Sequence, residues 1–101
     1  MTADFAEENS GNNIVVRDVV IQNELGLHVR PASAFVQLSG KFRCDITVKK
    51  DEQMVDGKSI MQMLMLGAAK GQKLTIEALG EDAHEAVEAL ETLVNNHFEE
   101  R

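Results

Sequence analysis

Apolar and polar residues alternate over several short stretches of this chain and recur at three- to four-residue spacing over others. Ile14 to Gln22 is rich in Val and Ile and predicts a first strand, with Val15, Val19 and Ile21 sharing one face with Arg17. Asn23-Glu24-Leu25-Gly26 follows as a loop, and helical spacing begins at Pro31, whose fixed φ and missing N–H suit a first turn. Pro31, Ala34, Phe35 and Leu38 form one candidate apolar stripe; Ala32, Phe35, Val36 and Ser39 form a second, weaker one. Gly40 ends the helix. From Arg43 to Lys49 the alternation is clean, with Cys44, Ile46 and Val48 on one face and Arg43, Asp45, Thr47 and Lys49 on the other. Lys50-Asp51-Glu52 reads as a turn, and Gln53 to Asp56 as a short return strand that Gly57 breaks.

Ser59 with Gln62 three places later resembles a capping box opening a short helix to Leu66, closed by Gly67. That helix is apolar nearly all round, so Ile60, Met61, Met63, Leu64, Met65 and Leu66 cannot all be hidden. The expectation is a contact surface. Lys73 to Gly80 alternates again, with Leu74, Ile76 and Ala78 inward. Asp82 with Glu85 then predicts a capped final helix, whose stripe is Ala83, Ala86, Val87, Leu90, Val94 and Phe98 and whose outer face carries Glu81, Glu85, Glu88 and Glu91. The order strand, helix, strand, strand, helix, strand, helix predicts an α+β fold. It is an open-faced sandwich: one four-stranded, mostly antiparallel sheet with three helices on one face and the other face wet.

Composition narrows the picture. At 101 residues there is one domain, with no room for a separate catalytic one. Residues 1–13 read as a mobile acidic tail and residues 14–101 as the domain. Trp and Tyr are absent, which argues against base stacking and hence nucleic-acid binding. The formal charge is −7, but it is uneven. The first thirteen residues carry −3 and residues 81–101 carry −6, while residues 14–80 hold nine Lys and Arg against seven Asp and Glu. The middle is thus free to meet an acidic partner. The single cysteine, Cys44, excludes an intrachain disulfide and reads as a buried thiol. The first residues show neither the basic region nor the apolar run of a secretory signal, and no apolar run approaches the ~20 residues of a membrane span. A cytoplasmic location and no membrane insertion are the resulting expectations. His84 and His97 stand on the last helix without a metal-ligand constellation, and no metal or other cofactor is expected.

The candidate chemistry lies in Leu25-Gly26-Leu27-His28-Val29-Arg30-Pro31-Ala32. A lone loop histidine carries no message. Here a glycine loosens the backbone before the imidazole, and a guanidinium and a helix start follow it. Unpaired N–H groups and the positive end of the helix dipole suit a phosphoryl group. Neutral imidazole is a good nucleophile near pH 7, and Arg30 can hold phosphate oxygens through charge-assisted bonds.

That stretch resembles the phosphohistidine signature of HPr, the histidine-containing phosphocarrier family of the phosphoenolpyruvate-dependent sugar phosphotransferase system. Asp56-Gly57-Lys58-Ser59-Ile60-Met61 is similar to the family's second motif, around a regulatory serine, and the element order agrees over roughly residues 14–98. The resemblance implies a phosphoryl carrier and not an enzyme. His28 would accept phosphate through Nδ1 from phospho-Enzyme I and pass it to IIA domains of sugar permeases, with Arg30 steadying the phosphohistidine. Ser59 would be the target of the family's kinase/phosphorylase, and Ile60, Met61 and Leu64 would form the docking patch. A monomer is the expected state of so transient a carrier. Gln37 and Gly40 depart from the pattern, standing where family members often carry Lys or Arg. Three other readings stand beside this one: a carrier of a nitrogen-linked regulatory branch, a binding module controlled through Ser59, and an unrelated α+β domain that docks a protein through its Met-rich helix.

Overall fold

The computed structural model describes residues 13–99. The acidic segment expected over residues 1–13 therefore lies, apart from Asn13, outside the described residues. The elements run β1 (Ile14–Val20), α1 (Val29–Ser39), β2 (Asp45–Lys50), β3 (Gln53–Asp56), α2 (Ile60–Met65), β4 (Lys73–Leu79) and α3 (Ala83–Asn95), followed by a short turn, His97–Glu99. The strands form one sheet in the order β1-β4-β2-β3. Every pairing is antiparallel, with Arg17 opposite Ile76, Val48 opposite Ile76, and Val48 opposite Val55. The strand alternation fixes this register, since a slip of one residue would turn the whole apolar set to water.

The inner face of the sheet contributes Val19, Leu74, Ile76, Ala78, Ile46, Val48 and Val55 to the core. Against it lie Phe35 from α1, Met63 from α2, and Ala86, Val87, Leu90 and Val94 from α3. Each large side chain buried in this way contributes about 1.5–3 kcal/mol. The buried face of α1 draws on both candidate stripes: Pro31, Ala32, Phe35 and Ser39 are buried, while Ala34, Val36 and Leu38 are half-buried. Ser39 is tolerated inside because its hydroxyl donates to the Gly57 carbonyl at 2.7 Å.

Several expectations are corrected. Helix α1 begins at Val29, two residues before Pro31, which occupies the third position of the first turn, where its missing N–H still costs nothing. Asp82 does not cap α3. Its carboxylate reaches back to the N–H groups of Arg43 (2.8 Å) and Cys44 (2.9 Å), pinning the entry to β2. Those bonds, first the one from Arg43, hold the Asp82 carboxyl below its ordinary value. Burial and the nearby Asp82 carboxylate push the Cys44 thiol up to about 11, which leaves it inert. Glu91, half-buried at the edge of the outer face, pairs with Arg17, whose side chain the strand alternation turns under α3.

The chain's end also departs from the helical pattern. Phe98 is 4% exposed, but α3 has stopped at Asn95. His97, Phe98 and Glu99 instead form a left-handed turn, with φ of 58°, 55° and 66°. For non-glycine residues that geometry costs roughly 1–2 kcal/mol each. Burial of Phe98 and a 2.8 Å bond from the Glu99 N–H to the Asn96 carbonyl offset it. The turn packs against α1.

Candidate functional site at the starts of α1 and α2

The loop from β1 to α1 is held by backbone contacts that only its sequence permits. Asn23 is buried, and its Nδ2 donates to the Gly26 carbonyl at 2.7 Å, while the Gly26 N–H donates to the Asn23 carbonyl at 3.1 Å. Gly26 has φ +70°, and a Cβ there would lie 2.5 Å from the Ala68 carbonyl oxygen. Both facts demand glycine. The next N–H, that of Leu27, donates to the same Ala68 oxygen at 2.9 Å, and Leu27 is itself buried. The loop is therefore fastened to the Ala68–Ala69 segment just before it delivers His28.

His28 is the N-cap of α1, with extended backbone, and its carbonyl accepts the Ala32 N–H at 3.0 Å. Its side chain makes no capping hydrogen bond. The ring is half-buried, with Nε2 turned inward and almost without accessible surface. In the first turn of α1, Pro31 has no N–H and that of Ala32 is used, so the N–H groups of Val29 and Arg30 are the ones presented at the helix start. Arg30 is exposed and lines a depression of about 670 Å³ together with Glu24, Lys70, His97 and Glu99. Lys70 pairs with Glu24 at 2.6 Å, which holds the Glu24 carboxyl below its ordinary value. The sequence pattern puts His97 on the last helix; the left-handed turn instead carries it to the wall of the depression that Arg30 also lines.

Ser59 caps α2, its hydroxyl accepting the Gln62 N–H at 3.2 Å. Only half of the expected capping box forms, because the Gln62 side chain accepts instead from the Asp56 N–H at 2.9 Å. The Lys58 amino group is held by the Phe42 carbonyl at 2.7 Å. Of the expected docking residues, Met61 is 71% exposed, while Ile60 and Leu64 are half-buried and packed against the core. Met63 and Leu66 are buried. Met65, 67% exposed, and Val29 on α1 were not singled out from sequence, though the over-apolar helix already required that some such residue face solvent. Among the described residues, no helix is long and apolar enough to cross a membrane.

Comparison with known proteins agrees with this arrangement. The family described as the PTS HPr component phosphorylation site matches residues 15–96. The phosphocarrier protein HPr of Pseudomonas putida is 44% identical over 85 residues, covering 83% of this chain and 94% of that protein. The crystal structure of HPr from Thermoanaerobacter tengcongensis superimposes with a TM-score of 0.83 at 40% identity, covering 86% of this chain and 98% of that one. A structure of an HPr dimer from the same organism gives a TM-score of 0.70 at 43% identity, covering 81% and 94%. With the fold, the glycine-set histidine loop and the serine-capped helix all in place, the chain belongs to the HPr family, phosphocarrier proteins of the phosphotransferase system and not enzymes.

Proposed function

We propose that His28 accepts a phosphoryl group from phospho-Enzyme I and hands it to IIA domains of sugar permeases, as a cytoplasmic monomer. The Nδ1 lone pair attacks phosphorus, the bond from phosphorus to the donor breaks, and the donor leaves with its electron pair. The observation that carries this reading is the N-cap geometry of His28. Its Nε2 is turned inward, which supports reaction at Nδ1, and the Val29 and Arg30 N–H groups lie in the first turn of α1, where a helix offers donors to an anion. Arg30 supplies the charge-assisted bonds that steady the phosphoryl oxygens. Met61, with Ile60 and Leu64 beneath it, forms the apolar patch on which both partners dock in turn; flexible methionine suits a surface that serves two partners.

Ser59 is the regulatory site in this reading. Its phosphate would bring nearly two negative charges to the edge of the docking patch and oppose acidic partners. The only nearby lysine of its motif, Lys58, is already held by the Phe42 carbonyl.

Incubation with phosphoenolpyruvate and Enzyme I is expected to give an acid-labile, base-stable phosphate, read by phosphorus NMR or mass spectrometry and lost in His28→Ala. No label, or label that persists in His28→Ala, overturns the carrier reading. With the cognate kinase and ATP, an acid-stable mark that disappears in Ser59→Ala is the corresponding result for regulation.

A further inference from the structure

We propose that Met61 and Met65 are a modification site: a peroxide converts both thioethers to sulfoxides, spares Met63, and so takes the carrier out of exchange until the sulfoxides are reduced. This rests on the reading of α2 as the surface on which Enzyme I and IIA domains dock.

One short helix is unevenly exposed. Of the six residues of α2, Ile60–Met65, three are methionine. Met61 is 71% exposed and Met65 is 67% exposed, while Met63 between them is fully buried. Met61 and Met65 are about one turn apart and share a face; Met63, two positions from each, is turned into the core. The end of α2 is also fastened to the loop that delivers the histidine. Three residues past Met65, the Ala68 carbonyl accepts the Leu27 N–H at 2.9 Å, and Leu27 immediately precedes His28. Met65 thus lies at the end of α2 that is tied to the acceptor loop, and Met61 lies at the end that Ser59 caps.

In the step itself a sulfur lone pair attacks one peroxide oxygen. The S–O bond forms, the O–O bond breaks, and the second oxygen leaves as water with the proton of the first; sulfur loses two electrons and the peroxide gains them. A flexible apolar side chain becomes a polar one. In the free protein both sulfoxides stand in water, so the fold is unaffected. Under a docked partner they are stripped of water, and a polar group buried without a hydrogen-bond partner weakens binding. Cys44 does not compete for the oxidant: it is buried, and burial holds its thiol up at about 11. Met54 is exposed too, but it stands on β3 opposite Lys49, on the sheet face turned away from the helices.

The test treats the folded protein with dilute hydrogen peroxide, removes the oxidant with catalase, and then measures phosphoryl uptake from phosphoenolpyruvate and Enzyme I. Peptide mapping should find sulfoxide at Met61 and Met65 and unmodified Met63. The KM of Enzyme I for the carrier should rise about tenfold with kcat unchanged, because docking and not chemistry is impaired. Methionine sulfoxide reductases, one for each sulfur epimer, should restore the KM. The double variant Met61→Leu/Met65→Leu should keep its own untreated KM after peroxide, whereas Met54→Leu should respond as wild type does. Sulfoxide at Met61 and Met65 with an unmoved KM overturns the proposal. So does a double variant that loses affinity on treatment, or oxidation that takes Met63 with the other two. Untreated Met61→Glu separates this proposal from the reading beneath it. If that variant leaves KM unmoved, partners dock elsewhere and the docking reading falls together with the proposal. If it raises KM while oxidised wild type stays at the untreated value, only the methionine site is lost.

Discussion

At the start of α1 the N-cap is His28, whose ring makes no bond to the N–H groups of its own helix; at the start of α2 the N-cap is Ser59, whose hydroxyl accepts the Gln62 N–H. The two positions have the same extended backbone and opposite consequences. Capping satisfies one of the orphan donors and ties down the side chain that does it. A histidine at the cap leaves the donors of Val29 and Arg30 without a capping bond from its ring. The molecule gives up local stability at one helix start and takes it at the other. The position that gives it up stands on a loop fixed through Gly26, Leu27 and Ala68.

Three substitutions break or sharpen this contrast. The largest effect is expected from Gly26→Ala. The new methyl group meets the Ala68 oxygen and the residue must hold φ +70°, so about 2–4 kcal/mol of stability should be lost in chemical denaturation, and phosphate uptake at His28 should slow with it. If Gly26→Ala unfolds at the wild-type denaturant midpoint, the fastened loop is not what fixes the histidine. Next, Ser59→Ala should cost about 1 kcal/mol by the same measurement while phosphorylation at His28 proceeds at the wild-type rate; a loss of uptake would show that the two helix starts are not independent. Smallest is His28→Ser, which installs a capping hydroxyl on α1. It should abolish the phosphohistidine yet raise stability by roughly 0.5 kcal/mol. A destabilised His28→Ser would mean that packing of the imidazole, and not its failure to cap, dominates at that position.

The contrast also shows what was legible in the sequence. Period-two alternation placed β2 and β4, Val and Ile content placed β1, and the turn at residues 50–52 placed the short return strand β3. His28 and Arg30 stand out in the sequence because glycine, imidazole, guanidinium and a helix start follow one another within a few residues. The buried stripe of α1 was harder, since Phe35 belongs to both candidate stripes and small Ala32 and Ser39 carry little hydrophobic signal. Their burial depends on how close α2 comes, through the bond from Ser39 to Gly57. Asp82 failed as a cap for a similar reason: Arg43 and Cys44 compete for its carboxylate from 38 or more positions away in the chain. His97 was out of reach altogether. A left-handed turn of three non-glycine residues has no local signature, and only burial of Phe98 imposes it.

The bond from Ser39 to Gly57 has a geometric consequence of its own. It ties the far end of α1 to the residue two positions before Ser59, while the near end of α1 begins at His28. An eleven-residue helix spans about 16 Å at the standard rise. Helix α1 is therefore a gauge block, and any protein that lies across both turns meets the imidazole and the serine hydroxyl at a spacing set by a rigid rod, not by loops.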